Sequence, residues 1–477
     1  MSLVPPAEPV PVDKLGRVHF IGIGGVGMSG IARVLLQLGV EVTGSDAKDG
    51  PLLHELAALG ATTRVGHDAA NVGTADTVVV TSAVREDNPE LAEARGRGLR
   101  VVPRAAALGS LLLGRRGVAV AGTHGKTTTT SMLTVVLQHA GADPGYVIGG
   151  ALVDTGTGAD AGAGETVVAE ADESDGSFLM LSPEIAVVTN VEADHLDNYG
   201  GLDEIHANFA AFAERVADTL VVGADDPGAR RVAAIARDLG KRVVTYGEST
   251  DCDYRVAGVS ADGFRTSFTL SVPGGEPLRA ELAVPGRHNV LNAAAAVAAA
   301  AVLGHDPEVA VAGLAGFTGA ARRFELKGEA GGVAVYDSYA HHPTEIEADL
   351  HAARAALDTR AGDAPPGRVV AVFQPHLYSR TRIFADEFAA ALSLADEVVV
   401  LAVYAAREDP EPGVSSELIT RGITRGVAYE PDRADAVARA AAAAQPGDIV
   451  LTMGAGDVTE LGPRIVEALA ALEQVGD

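Results

Sequence analysis

The stretch "GTHGKTTTT", residues 122–130, follows the apolar run "RRGVAV" (115–120) and precedes "SMLTVVLQHAG" (131–141). A β-branched run, a glycine turn, a lysine and a row of hydroxyls opening a helix is the strand–loop–helix order in which backbone amides hold phosphate. A full Walker A loop needs a glycine five positions before the Gly-Lys pair. Here that position is Val120, and Gly122 and Gly125 flank Thr123 and His124 instead, giving the variant G-T-x-G-K-T. Its working parts persist: loop amides for phosphate oxygens, Lys126 for the β and γ charges, and the Thr127 hydroxyl, with Thr128 behind it, for Mg²⁺. The bland reading is a glycine-rich turn with a solvated lysine, but with only five lysines in the chain a casual surface role is less persuasive.

An NTP site needs hard oxygen ligands on neighbouring strand ends. "VVAEADESDG" offers Glu170, Asp172, Glu173 and Asp175, and "VVTNVEADHLDNYG" offers Asn190, Glu192, Asp194 and His195. Each cluster alone reads as a solvated turn; behind a G-K-T loop the carboxyl ends of parallel strands face one crevice, and both read as ligands. A second glycine cluster lies upstream. "GIGGVG" places Gly22, Gly24 and Gly27 in the G-x-G-x-x-G pattern, with Gly25 between them and Asp46 at the end of the next strand. This fingerprint reads diphosphate geometry and does not by itself specify a nicotinamide.

The remaining pattern predicts an α/β chain of three domains, in line with its 477 residues. Residues 1–14 read as a Pro-rich flexible tail, 15–114 as a Rossmann-like domain, 115–318 as a central P-loop ATPase domain and 319–477 as a Rossmann-like C-terminal domain. Residues 252–284 read as an antiparallel insertion. A net charge of -27 argues against nucleic acid and anionic membrane surfaces, so anions must be held by local cations. The opening lacks the pattern of a signal peptide and no apolar run suggests a membrane span. The single Cys252 excludes an intrachain disulfide framework and suits a reducing cytoplasm. Oligomeric state is not legible.

Eight segments, "GIGGVGMSGIA", "GTHGKTTTT", "EADESDGSF", "TNVEADHLD", "GRHNVLNA", "RRFE", "DSYAHHPTEI" and "FQPHLYSRT", occur in the order found in the Mur ligases. The resemblance runs from about residue 17 to 460, and "GGVGMSG" and "DSYAHHPTE" resemble the alanine-adding branch in particular. It implies ATP-dependent joining of L-alanine to the carboxylate of UDP-N-acetylmuramate through an acyl phosphate, yielding UDP-N-acetylmuramoyl-L-alanine, ADP and phosphate for peptidoglycan. It further implies that the Gly22–Gly27 loop, Ser45, Asp46 and Ser82 hold the UDP end. Lys126 and Thr127 would hold ATP and Mg²⁺, and Thr127, Glu170 and His195 would ligate metal, two ions in all, with Mn²⁺ as an alternative. His288, Asn289 and Asn292 would meet adenine, Arg323 the γ-phosphate, and Asp337 the ribose or an associated water. His341 and Arg380 would handle alanine and the activated carboxylate.

The chain departs from the family pattern at Leu377, where a second arginine is expected, and no lysine lies between Asp197 and Lys241 to carry the carbamate that several sister ligases use. Two other readings stand beside this one: a sister ligase taking murein tripeptide or glutamate, and an NAD-dependent oxidoreductase built on "GIGGVG".

Overall fold

A computed structural model describes residues 5–81, 83–194, 198–360, 367–406 and 408–476. Two compact units share the chain, one of residues 1–256, 270–278 and 291–316, the other of the remainder. In the first unit, strands β1 (Val18–Ile21), β2 (Val42–Asp46), β3 (Thr62–Val65), β4 (Thr77–Val80) and β5 (Arg100–Pro103) form a sheet in the order β3-β2-β1-β4-β5. Every pairing is parallel. The chain runs outward from β1 in one direction and then in the other, so a crevice opens at the carboxyl end of β1, where "GIGGVG" lies. Strands covered on both faces read as unbroken apolar runs, and all four residues of β1 are buried.

The next ten strands are β6 (Arg116–Ala121), β7 (Gly145–Val147), β8 (Ala159–Asp160), β9 (Thr166–Glu170), β10 (Ile185–Val188), β11 (Thr219–Gly223), β12 (Arg242–Gly247), β13 (Tyr254–Asp262), β14 (Arg265–Ser271) and β15 (Leu278–Leu282). They make one sheet in the order β15-β14-β13-β12-β11-β10-β6-β9-β7-β8. β6, which feeds the lysine loop, is flanked by β10 and β9, both parallel to it. That arrangement brings Glu170, the last residue of β9, and Thr189 and Asn190, which follow β10, to either side of the loop. β13, β14 and β15 are neighbours in chain order, the strand cluster expected over 252–284.

One apolar cluster runs from Phe20 and Ile31 through Ala119 and Val188 to Phe209 and Phe212, so the first sheet and the β6 region share a core. Phe178 stacks on Phe212 at 4.7 Å between ring centroids and meets Phe209 edge-on at 5.2 Å. The opening segment is a correction to the flexible tail read from composition. Ala7, Val10 and Val12 pack against this core. The Val10 amide donates to Ser110 Oγ at 3.1 Å, and Val12–Lys14 forms a 3₁₀ turn. Apolar Val and Pro side chains in that segment have a surface to cover, which a composition reading does not reveal.

In the second unit, β16 (Glu325–Ala330), β17 (Val333–Ser338), β18 (Val369–Phe373), β19 (Glu397–Val400), β20 (Gly426–Tyr429) and β21 (Ile449–Met453) form a sheet in the order β16-β17-β21-β18-β19-β20. Only the edge strand β16 is antiparallel. Alternation along β17 and β18 divides their apolar runs between two cores: Val333, Val335, Val370 and Val372 face one side, Ala334, Tyr336, Ala371 and Phe373 the other.

Candidate functional site

At the first glycine loop, Gly22 turns the chain at φ +85°, and the amides of Gly22 and Ile23 both donate to the Ser45 carbonyl. The Gly24 amide donates to Asp46 Oδ2 at 3.0 Å, and a Cβ on Gly24 would stand 3.0 Å from that same oxygen. Asp46, expected to contact the ligand, therefore braces the loop. Gly25 caps the helix Val26–Gln37, whose first turn, like any helix start, presents unpaired amides and a partial positive charge. Ser82 lies outside the described residues.

Ser45 is corrected by the structure. Its side chain is fully buried and its hydroxyl donates to Glu90 Oε2 at 2.5 Å. Glu90 anchors a polar knot under the loop: Asn71 Nδ2 donates to Oε1 at 2.7 Å, the Asp68 amide at 3.2 Å, and His19 stands 3.4 Å away. Burial pushes the Glu90 carboxyl up, but the bonds from His19, Ser45 and Asn71 outweigh it and hold the group at about 2. Sequence reasoning missed Glu90 because an acid in a first helical turn, two residues after the Asn88 cap, already has a local explanation in the helix dipole.

The second loop is clamped more tightly. Gly122 sits at φ +136°, and a Cβ there would overlap the Thr189 hydroxyl. Gly125 caps the helix Lys126–His139 at φ +82°, with Asn292 Oδ1 only 2.5 Å from where a Cβ would lie. Four hydrogen bonds from 189–190 fix the turn: Asn190 Oδ1 accepts from the His124 amide at 2.8 Å, the Asn190 carbonyl from the Thr123 amide at 3.0 Å, and Thr189 Oγ1 at 2.6 Å and Asn190 Nδ2 at 3.2 Å both donate to the His124 carbonyl. Asn190 is thus a brace for the loop. Asn292 Oδ1 likewise accepts from Thr129 Oγ1 at 3.1 Å, fastening the loop helix to the helix Arg287–Val302. Thr128 is buried beside them.

Lys126 Nζ bonds to Glu173 Oε1 at 2.9 Å and turns back onto the carbonyls of Gly122 and Thr123. Burial opposes its charge, but Glu173, Glu170 and Asp172 raise it above the ordinary lysine range. Glu173 is pushed up to about 7 by burial, pulled back by Lys126 and raised again by Asp172. The amine is therefore a held cation at the mouth of the loop. Thr127 Oγ1 and Glu170 Oε1 lie 3.1 Å apart, and Glu170 Oε2 accepts from the Gly149 amide at 2.7 Å. A hydroxyl and a carboxylate at that spacing are the hard oxygen donors that Mg²⁺ prefers. His195 lies outside the described residues.

In the second unit, Asp337 is fully buried at the end of β17. It accepts from Arg322 Nε at 3.1 Å, Thr452 Oγ1 at 2.7 Å and Thr459 Oγ1 at 2.7 Å. That corrects its expected role at a ribose: its oxygens are spent within the unit, fixing Arg322. Arg322 at φ 60° and Phe324 at φ 55° flank Arg323, whose guanidinium lies 5.3 Å from the Tyr339 ring centre and 3.8 Å from Glu345. Arg322 lies over the same ring at 4.9 Å. Sequence reasoning singled out Arg323 and missed its support by Arg322 and Tyr339, because nothing local pairs residues 322 and 337.

His288 is lowered to about 4 by burial and by the Arg323 cation, partly offset by Glu345, and so stands neutral in this group. Asn289 Nδ2 donates to the Pro285 carbonyl at 2.7 Å. His341 Nδ1 is 2.9 Å from the Tyr339 carbonyl, its amide donates to Glu345 Oε2 at 3.0 Å, and its ring meets His376 at 6.0 Å. Arg380 is buried in the helix Tyr378–Ile383, capped by Leu377 at φ 69°.

Comparison with known proteins accords with this geometry. Residues 17–116 match the model for "Mur ligase family, catalytic domain", 120–300 that for "Mur ligase middle domain", and 322–456 that for "Mur ligase, glutamate ligase domain". The chain is 72% identical over 98% of its length to the whole UDP-N-acetylmuramate--L-alanine ligase of Thermobifida fusca. It is 55% identical over 96% of its length to 97% of the enzyme of the same name from Kineococcus radiotolerans. Among solved structures, the UDP-N-acetylmuramate-alanine ligase of Thermotoga maritima superposes with a TM-score of 0.77 at 30% identity, covering 97% of this chain and 100% of that one. A murein peptide ligase from Psychrobacter arcticus gives 0.70 at 28%, covering 95% of this chain and 99% of that one. The three consecutive domain matches and the near full-length relatives say the same: the chain belongs to the Mur ligase family.

Proposed function

We propose that the chain joins L-alanine to the carboxylate of UDP-N-acetylmuramate, consuming ATP and releasing ADP and phosphate. The reading is carried by one observation, the clamped Gly122–Thr127 loop with its held cation, in a chain whose near full-length relatives bear that enzyme's name. A carboxylate is a poor acceptor for an amine because oxide is a bad leaving group. Transfer of the γ-phosphoryl of ATP to the carboxylate makes an acyl phosphate; the alanine nitrogen attacks its carbon, and phosphate leaves. The difficulty is electrostatic, because one polyanion must approach another anion in a strongly acidic protein.

Lys126 would leave Glu173 for the phosphates, and the loop amides would hold their oxygens. Thr127 and Glu170 would hold Mg²⁺, with His195 proposed for a second ion and Mn²⁺ as an alternative. The bound ion supplies neutralisation of the charge on the transferred phosphoryl. Arg323 presents a forked donor suited to the γ-phosphate. Neutral His288 with Asn289 and Asn292 would serve the adenine, and His341 and Arg380 the alanine and the carboxylate. The first glycine loop would hold the uridine diphosphate.

The test is phosphate release from ATP with UDP-N-acetylmuramate and a panel of amino acids. Release that requires both the muramoyl nucleotide and alanine is expected. Preference for glutamate or a tripeptide, or no dependence on the muramoyl nucleotide, overturns the assignment. NADH fluorescence unchanged by the protein is expected; enhancement would favour the oxidoreductase reading. No helix among the described residues is long and apolar enough to cross a membrane, and the proposed place of action is the cytoplasm.

A further inference from the structure

The third glycine of a dinucleotide fingerprint is usually explained by close packing of helix against strand. Here something else occupies the space. A Cβ on Gly27 would stand 2.9 Å from Nη1 of Arg104 and 3.6 Å from its Cζ, so the guanidinium lies against the first turn of the helix that ends the loop. Arg104 comes from a distant part of the chain, the residue after Pro103 that opens the helix Arg104–Leu112. Its Nη2 donates to Asp172 Oδ2 at 2.8 Å. Asp172 sits two residues beyond Glu170, in the acidic turn that also supplies Glu173 to Lys126. One cation thus touches both nucleotide regions.

The pair is built to be exchangeable. Arg104 is a quarter exposed and Asp172 two-fifths exposed on their side chains. Asp172 has other support, because its Oδ1 accepts from the Ser174 amide at 3.1 Å. A guanidinium has five donors in a planar fork, and the Asp172 contact engages one nitrogen. The loop needs such a cation from elsewhere, since "GIGGVG" carries no lysine or arginine and the Asp46 carboxylate beneath it repels an anion. The arginines nearest in sequence are engaged elsewhere, Arg17 with Asp76 at 3.0 Å and Arg33 with Glu55 at 3.1 Å.

We propose that Arg104 is a binding residue for the diphosphate of the sugar nucleotide, and that Asp172 holds this cation until the diphosphate competes for it. The inference rests on the reading of the first glycine loop given above. Arrival of the diphosphate draws Arg104 from Asp172 and so changes the charge of the acidic turn that carries Glu170 and Glu173. Occupancy of one loop is thereby reported to the other by the release of a single ion pair.

The experiment is calorimetric titration of UDP-N-acetylmuramate into wild type, Arg104→Gln, Asp172→Asn and the double variant, without ATP or Mg²⁺ so that the Thr127–Glu170 pair stays out of the readout. Arg104→Gln is expected to weaken binding about tenfold, and Asp172→Asn to tighten it about threefold by freeing the cation. The double variant should match Arg104→Gln, because Asp172 acts only through Arg104. A bridge that merely ties two parts of the fold together predicts the opposite sign for Asp172→Asn, with binding weakened alongside a lower melting temperature, and that result overturns the proposal. Unchanged binding by Arg104→Gln also overturns it. If wild type itself fails to bind the nucleotide, the reading of the first loop falls, and this inference with it.

Discussion

The two glycine loops have the same outline, a buried parallel strand, a turn of small residues and a helix start, yet they obtain rigidity and charge in different ways. The lysine loop carries its cation within the motif, and its shape is imposed by contacts from flanking strands: Thr189 and Asn190 on one side and Glu170 on the other. The upstream loop carries no cation. It rests on Asp46 and on the Ser45 backbone, below which Glu90 gathers its donors, and the positive charge beside it belongs to Arg104. On the proposed reading, a loop that grips a triphosphate through a reaction would need a cation of its own, and one that holds a spectator diphosphate could borrow it.

This contrast is open to attack at four points. Lys126→Ala should lower turnover by about 10³-fold while leaving UDP-N-acetylmuramate binding within twofold or so, since it removes a cation used at the reacting phosphoryl; steady-state phosphate release with parallel calorimetry reads both, and near-normal turnover would end the distinction. Gly122→Ala comes next. The φ of +136° and the overlap with Thr189 should cost about 3 kcal/mol of stability and raise the ATP requirement, as seen by thermal melting with and without ATP.

Glu90→Gln probes the other foundation. The Glu90 carboxyl is depressed to about 2 from an ordinary value near 4.5, so its stabilisation is present above pH 4.5 and is lost as pH falls toward 2. The stability gap between wild type and Glu90→Gln should be about 2–3 kcal/mol at pH 6 and should narrow steadily in urea melts taken toward pH 3. A gap constant with pH would mean that the charge of Glu90 is not what holds the knot. Gly27→Ala should have the smallest effect. The atom it meets is the end of a flexible side chain, so the guanidinium moves aside, nucleotide affinity falls about threefold and melting hardly changes.

The same contrast explains what could be read in the sequence. Lys126, Thr127 and Glu170 were legible because each lies at a strand end or helix start whose local pattern announces it. Arg104 and Asp172 were not connected by any spacing rule, since 68 residues separate them and the tie is made by the fold. Ser45 and Asp337 were recognised as polar residues at strand ends, but their side chains turn inward. A side chain at the end of a buried strand can turn toward the crevice or inward, and only its partners decide: Glu90 for Ser45, Arg322 and two threonines for Asp337, whereas Asp46 turns to the Gly24 amide in the loop itself. The opening segment failed in the other direction, because a proline-rich composition says nothing of the groove that Val10 and Val12 fill. The central parallel strands of each sheet were legible because burial on both faces leaves apolar runs, whereas the exposed edge strands β3, β16 and β20 carry no such run.

Arg322 and Phe324 hold left-handed backbone on either side of Arg323, a conformation that costs a non-glycine residue about 1 kcal/mol or more. An engineering effort guided only by melting temperature would select these two positions for glycine or asparagine. The relaxed chain would survive heat better and work more slowly, because the guanidinium would have to search for a direction that the native backbone gives it in advance.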